Sequence, residues 1–279
     1  MESLFFYYDT LSPTFIEFLI FLFLASQMVY LLFFTNHNYL GAPFLGTSAN
    51  YFLVIFLCSL LINFLFFADP LYASFSNHIN VNSQTLLVRD SMVFTSLIVI
   101  VFSMSYLRLK KICQYEFSLL FLFSVAGLAF TTLSADFLTI FMTLELQGLA
   151  FYLLATFYWG SEFNAEAGLK YFVLSSFTSA LLLFGFSLIY ILSGATSFEA
   201  AQLIAQQQSN SGIVLLGLAF SLSALLFKVG AAPFHVWLCD VYEGSLTPIT
   251  FFFVTVPKIV IFNVLLTLFL SVFFFENFY

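Results

Sequence analysis

Residues 226–261 read LFKVGAAPFHVWLCDVYEGSLTPITFFFVTVPKIVI and place two lysines, Lys228 and Lys258, in sequence otherwise suited to a membrane-buried helix. Lys228 lies deep in an apolar run that begins near Gly212. Five residues on, Pro233 has no N–H, so the carbonyl of Val229 loses its helical partner and the helix is predicted to break. Gly230 eases the bend, and Pro233 is placed to restart a half-helix. The first half then ends in bare carbonyls, whose negative dipole end faces the Lys228 ammonium. Lys258 repeats the pattern beside Pro257, which frees the carbonyl of Phe253 and marks a second break. Interrupted backbone at membrane depth is tolerated only inside protein or against a water-filled cavity, so the two elements together predict a polar ion path.

Composition agrees with membrane burial. Of 279 residues, 62% are hydrophobic and 8% charged, which excludes an ordinary soluble domain and predicts an all-α, polytopic transmembrane bundle. The formal charge of -7 comes from groups in short loops and at helix ends, and no basic patch suits nucleic acid. Cys58, Cys113 and Cys239 are far apart without a CxxC spacing and are read as small core residues, with no metal or disulfide role. The first residues lack a positive segment and a cleavage site, so the first apolar run is read as a retained helix. The 43 phenylalanines point to an AT-rich coding genome, such as an organelle's.

A spanning helix needs about 20 apolar residues. Eight candidates meet this, at about 13–34, 51–67, 86–107, 117–133, 137–159, 165–192, 212–232 and 248–275, the seventh continuing from Pro233 to Tyr242. Ser134 and Asp136 suit the start of the fifth and Asn164 that of the sixth, while Phe198 to about Gln207 keeps helical spacing in a loop. Arg108, Lys110 and Lys111 put the loop at 108–115 on the negative side of the membrane, with both termini opposite. The chain divides at residue 115, into a three-helix segment (1–115) and helices four to eight (116–279).

Glu145 is the only charge in the fifth helix, and a lone carboxylate at that depth needs a cation or a proton. Lys170, 25 residues later across a short loop, is predicted to meet it. With Lys228 and Lys258 this makes one buried acid and three buried bases on four consecutive helices. Burial disfavours a lysine's charged form and a nearby carboxylate favours it, so moving or screening that carboxylate lets a lysine take up or release a proton. Each group also has a plainer role: Lys228 and Lys258 binding freed carbonyls, Glu145 pairing to hold helices together, Lys170 reaching to the interface. His235 either relays protons or hydrogen-bonds the broken backbone. Asp240 and Glu243 are read as solvated or loop-ordering.

The stretch APFHVWLCDVYEGSLTPITFFFVTVPKIVIF resembles the PFHxWxPDVYEGxPTPVTxFLxxxPKxA signature of the subunit 2 family of respiratory complex I, NADH:ubiquinone oxidoreductase. LELQGLAFYLLA, EAGLKYFVLSSFTSALLLFGFSLIY and LLFKVGAAPFH upstream support it, and the resemblance covers about residues 80–272. The related antiporter-like subunits 4 and 5 share the broken helix and the lysines but not PFHVW followed by DVYEG. The resemblance implies a proton-translocating membrane-arm subunit in which Glu145 and Lys170 form the input pair, Lys228 carries the proton and Lys258 passes it on. It further implies no cofactor in this chain, with FMN, iron–sulfur clusters and ubiquinone held elsewhere in the complex. The expected setting is the mitochondrial inner membrane, or else a bacterial plasma membrane, among lipids and other membrane-arm subunits. A cation/proton antiporter-type subunit and a structural assembly subunit are the competing readings.

Cys239 stands where the family commonly has proline. Family members with fourteen helices carry two inverted five-helix repeats, and helices four to eight here resemble one of them. The expectation is therefore a separate chain carrying the second half, packed on the seventh and eighth helices at positions such as Phe252 and Val260.

Overall fold

The computed structural model describes residues 19–20, 22–29, 49–58, 60, 72–74, 79–110, 112, 116–158, 160–198, 200–202 and 212–269. Among them, six helices are long and apolar enough to cross a membrane: α1 (Ser83–Leu109), α2 (Glu116–Leu133), α3 (Phe137–Ala155), α4 (Glu162–Ser193), α5 (Gly212–Val229) and α7 (Thr247–Leu268). A short helix, α6 (Val236–Gly244), follows α5. Of the first two expected spans, residues 19–20, 22–29, 49–58 and 60 are helical. Their remaining parts lie outside the described residues, as do Lys111, Cys113, the far end of the loop helix begun at Phe198, and the eighth span beyond residue 269.

Two helix starts use the same local device. The Asp136 N–H donates to Thr139 Oγ1 at 3.2 Å while the Thr139 hydroxyl donates to the Asp136 carbonyl at 2.9 Å, opening α3. Asn82 and Thr85 do the same for α1. Helix α4 begins after Ser161, one turn earlier than the Asn164 cap expected. At 32 residues it is about 48 Å long against a hydrocarbon core of about 30 Å, so it extends past the membrane. A feature absent from the expectation is a small antiparallel hairpin, β1 (Tyr72–Ser74) with β2 (Ile79–Val81). Ile79 bridges to Ser134 and Asp136 to Ser197, so the hairpin and the loop after α4 close over the turn between α2 and α3.

Helix α2 is the most enclosed of the six. It packs on α3, and its Phe117 and Phe121 meet Phe157 and Phe252 in one core. Helix α7 lies against α1, with Gln84 Nε2 donating to the buried Asn263 Oδ1 at 3.4 Å. The tightest pairing joins α4 to α5 through glycines: a Cβ on Gly185 would stand 2.7 Å from the Gly217 carbonyl oxygen, and one on Gly217 would stand 2.9 Å from that of Gly185. Small residues at a crossing let two backbones approach, which is how helices associate where lipid removes the hydrophobic drive. The outer surface carries large apolar side chains such as Leu87, Phe102, Phe177 and Ile191, as a lipid- or protein-facing surface requires.

Two expectations about α7 are corrected. Pro257 does not break it: the helix runs through from Thr247 to Leu268, with Pro257 buried inside it. A single missing N–H is absorbed by neighbouring helices in a bundle. Phe252 and Val260 do not face a partner; both are fully buried in the core, and the outward positions are Phe251, Val254, Phe262 and Leu266.

Candidate functional site

The break in the seventh span is a built helix end. Gly230 takes φ +78°. The Ala231 N–H then returns to the Leu226 carbonyl at 3.0 Å, and the Gly230 N–H to that of Phe227 at 2.9 Å. This pair of bonds is the Schellman arrangement, so α5 stops at Gly230, before Pro233 acts. The Phe227 carbonyl also accepts the Trp237 indole N–H at 3.1 Å. Trp237 lies flat between Tyr171, at 5.2 Å, and Phe227, at 5.5 Å, so a three-ring stack holds α6 to α4 and α5. Pro233 follows a cis peptide, and the half-helix restarts at Val236 rather than at the proline.

Lys228 sits in the last turn of α5, where the carbonyl end of the dipole favours a cation. Its Nζ stands 3.9 Å from Glu145 Oε1 on α3, with the lysine side chain 11% and the glutamate 32% exposed. That separation is an ion pair rather than a direct hydrogen bond. Beside it a small cavity of about 40 Å³ is lined by Lys228, Gln147, Ser175 and Lys258, with Tyr152, Tyr171, Trp237 and Tyr242 among its aromatic walls. Lys258, one residue after Pro257, sets its Nζ 5.9 Å from the centre of the Tyr242 ring, a cation–π placement.

Lys170 is elsewhere. Its Nζ meets Glu166 Oε1 and Asp240 Oδ2, each at 2.7 Å, and all three side chains are exposed. The expected Glu145–Lys170 pair is therefore not formed; Glu145 meets Lys228. Helical spacing explains the exchange, because Lys170 is four residues after Glu166 on one face of α4 and the break turns α6 so that Asp240 reaches the same face. Asp240, read from the sequence as solvated or loop-ordering, lies in α6 within the expected continuation of the seventh span, and its pairing with Lys170 was not expected. His235 is exposed at the start of α6 and does not line the cavity; its backbone carbonyl accepts the Leu238 N–H at 3.0 Å. Cys239 is exposed and Cys58 half-buried, so neither is the enclosed core cysteine expected.

Gln147 was also passed over. It is 2% exposed, lines the same cavity, and its Oε1 accepts no hydrogen bond from any described residue; Glu145 Oε1 is in the same condition. An uncharged amide in an apolar helix gives no sequence signal until the cavity beside it is known. The site thus holds two lysines and an amide on a small, largely aromatic cavity, with one acid paired to Lys228 beside it. Groups of these types can hold and pass protons.

Comparison with known proteins agrees with this architecture. Residues 134–279 match the family described as NADH:quinone oxidoreductase/Mrp antiporter, transmembrane. NADH-quinone oxidoreductase subunit N of Maricaulis maris is 41% identical over 191 residues, which cover 64% of this chain and 40% of the relative. That of Paramagnetospirillum magneticum is 47% identical over 163 residues, covering 56% and 33%. Among solved structures, respiratory complex I from Thermus thermophilus with bound Aureothin gives a TM-score of 0.72 at 25% identity, covering 90% of this chain and 52% of that one. The Mrp complex from Dietzia sp. gives 0.71 at 18% identity, covering 95% and 49%, a likeness of fold alone. The chain spans about 40% or less of the length of these two subunit N relatives and about half of the solved chains. The match over more than half of its residues, on the very helices that carry the ion pair and the break, means that the chain belongs to the NADH:quinone oxidoreductase/Mrp antiporter transmembrane family.

Proposed function

We propose that the chain is a membrane-arm subunit of a proton-translocating NADH:quinone oxidoreductase and contributes one half-channel to it. The observation that carries the reading is the Glu145–Lys228 pair at a helix break, beside a cavity that also holds Lys258. A pair at 3.9 Å lets the carboxylate hold the lysine's proton without trapping it in a direct bond. When Glu145 is neutralised or drawn away, Lys228 loses its counter-charge and gives up its proton into the cavity, where Lys258 on α7 receives it. The break supplies the freedom for such a shift, since α5 and α6 are separate helices joined through residues 230–235. His235 and Lys170 lie outside this route.

In this reading NADH oxidation and quinone reduction, with FMN and iron–sulfur clusters, take place in other chains. The partners are other membrane-arm subunits and a complement that carries the other half of the fold. Outward apolar residues on α5 and α7, such as Leu215, Leu216, Phe262 and Leu266, offer surface for it and for lipid. The setting is the mitochondrial inner membrane; the bacterial source of the relatives supports the plasma membrane as the alternative. Replacement of Lys228 by Met in the assembled complex, followed by NADH-driven proton pumping, tests the proposal. Pumping is expected to fall with quinone reductase activity, and full coupling would overturn it. Co-purification in a particle without NADH oxidation would instead favour a cation/proton antiporter complex.

A further inference from the structure

Glu145 and Gln147 are two residues apart on α3, so their side chains leave the helix about 160° from each other, and it is Gln147, not Glu145, that lines the cavity together with Lys228 and Lys258. Lys228 also pairs with Glu145. Pro257, Lys258 and Ile261 of α7 line the same cavity as Gln147. Gly127 of α2 presses on the Gln147 backbone and Cβ, where an added Cβ would lie 2.8–3.0 Å away, which fixes where this side chain starts. Its buried carbonyl oxygen accepts from no donor among the described residues, and a lysine ammonium has donors and no acceptor. A water molecule answers both needs, accepting from an ammonium and donating to the amide oxygen, and buried water commonly makes about three such bonds.

Resting on the function proposed above, we propose that Gln147 is a positioning residue that anchors an ordered water on the path from Lys228 to Lys258. The water takes a proton from the Lys228 ammonium and gives one of its own to the neutral Lys258 amine. One proton moves from Nζ to Nζ, and the water is restored. Gln147 itself exchanges no proton; it orients the oxygen so that one O–H is held and the other is free to transfer.

The test uses the assembled complex in native membrane vesicles with Gln147→Met, which keeps the length and the Cβ but has no acceptor, and Gln147→Glu, which restores one. Native gels give complex content, and NADH-driven pumping is measured on the same vesicles. Gln147→Met is expected to assemble normally and pump about tenfold more slowly, the effect of one lost hydrogen bond on a transfer step, while Gln147→Glu stays within about twofold of the parent. A density map of the parent complex is expected to show water within hydrogen-bond distance of the amide oxygen. Parent-level pumping by Gln147→Met, equal loss in both variants, or no water at the amide overturns the proposal. Full pumping by Lys228→Met, by contrast, overturns the half-channel reading itself and this inference with it.

Discussion

Glu145→Gln removes one charge from the pair with Lys228 and almost no volume, so it separates electrostatics from packing. At the observed 3.9 Å, two unit charges in a medium of effective dielectric about 20 attract by about 4 kcal/mol. The carboxylate is 32% exposed, and solvent screening leaves roughly half of that, about 2 kcal/mol, which corresponds to about 30-fold in the rate of a step that depends on the pair. Inverted membrane vesicles driven by NADH report pumping through quench of a pH-sensitive dye, and NADH oxidation on the same sample reports turnover. Complex content should be unchanged and pumping several-fold to about 30-fold lower. Because the two groups act on one step, Glu145→Gln combined with Lys228→Met should be no worse than Lys228→Met alone. Additive losses in that double variant, or parent-level pumping by fully assembled Glu145→Gln, would refute the coupling.

Asp240→Asn leaves Lys170 its partner Glu166, and exposed pairs contribute little, so assembly and pumping should remain within about fivefold of the parent; a loss as deep as that of Glu145→Gln would return Lys170 to the proton path. Gly217→Leu drives a side chain into the Gly185 carbonyl and Ile189, costing about 1–3 kcal/mol or more, and should lower both the melting temperature and the yield of the extracted complex. Unchanged melting would mean that α4 and α5 do not cross at these glycines. At Gly230, where φ is +78°, Val should cost about 1–3 kcal/mol of strain, and Asn, which tolerates that region better, less. The two variants share the collision with Leu238, so equal yields would argue against a left-handed backbone there.

Local rules acting along the chain were legible in the sequence. Long apolar runs can only be spanning helices, because backbone in lipid must satisfy its own hydrogen bonds, and α1 to α5 and α7 fall where those runs lie. The break after Lys228 was legible for a similar reason: Gly230 and Pro233 are both read from one strand of sequence. Pro257 showed the limit of that reasoning. The same residue type inside a better-enclosed helix left α7 continuous, because burial among α1, α2 and α5 outweighs one lost hydrogen bond.

Which acid meets which base was decided only in three dimensions. Glu145 and Lys170 are 25 residues apart on adjacent antiparallel helices and looked like partners. Yet a helical residue points in one direction only, and the rotation of α3 and α4 turns Glu145 toward α5 and Lys170 outward to Glu166 and Asp240. Contacts between residues distant in sequence hold these helices: Gly127 of α2 lies close against Gln147 of α3, while Gly185 and Gly217 and the ring stack on Trp237 fix α4 against α5 and α6. The cavity, and Gln147 with its unpartnered oxygen, exist for the same reason: an enclosed space belongs to several helices at once, and no single stretch of the chain encodes it.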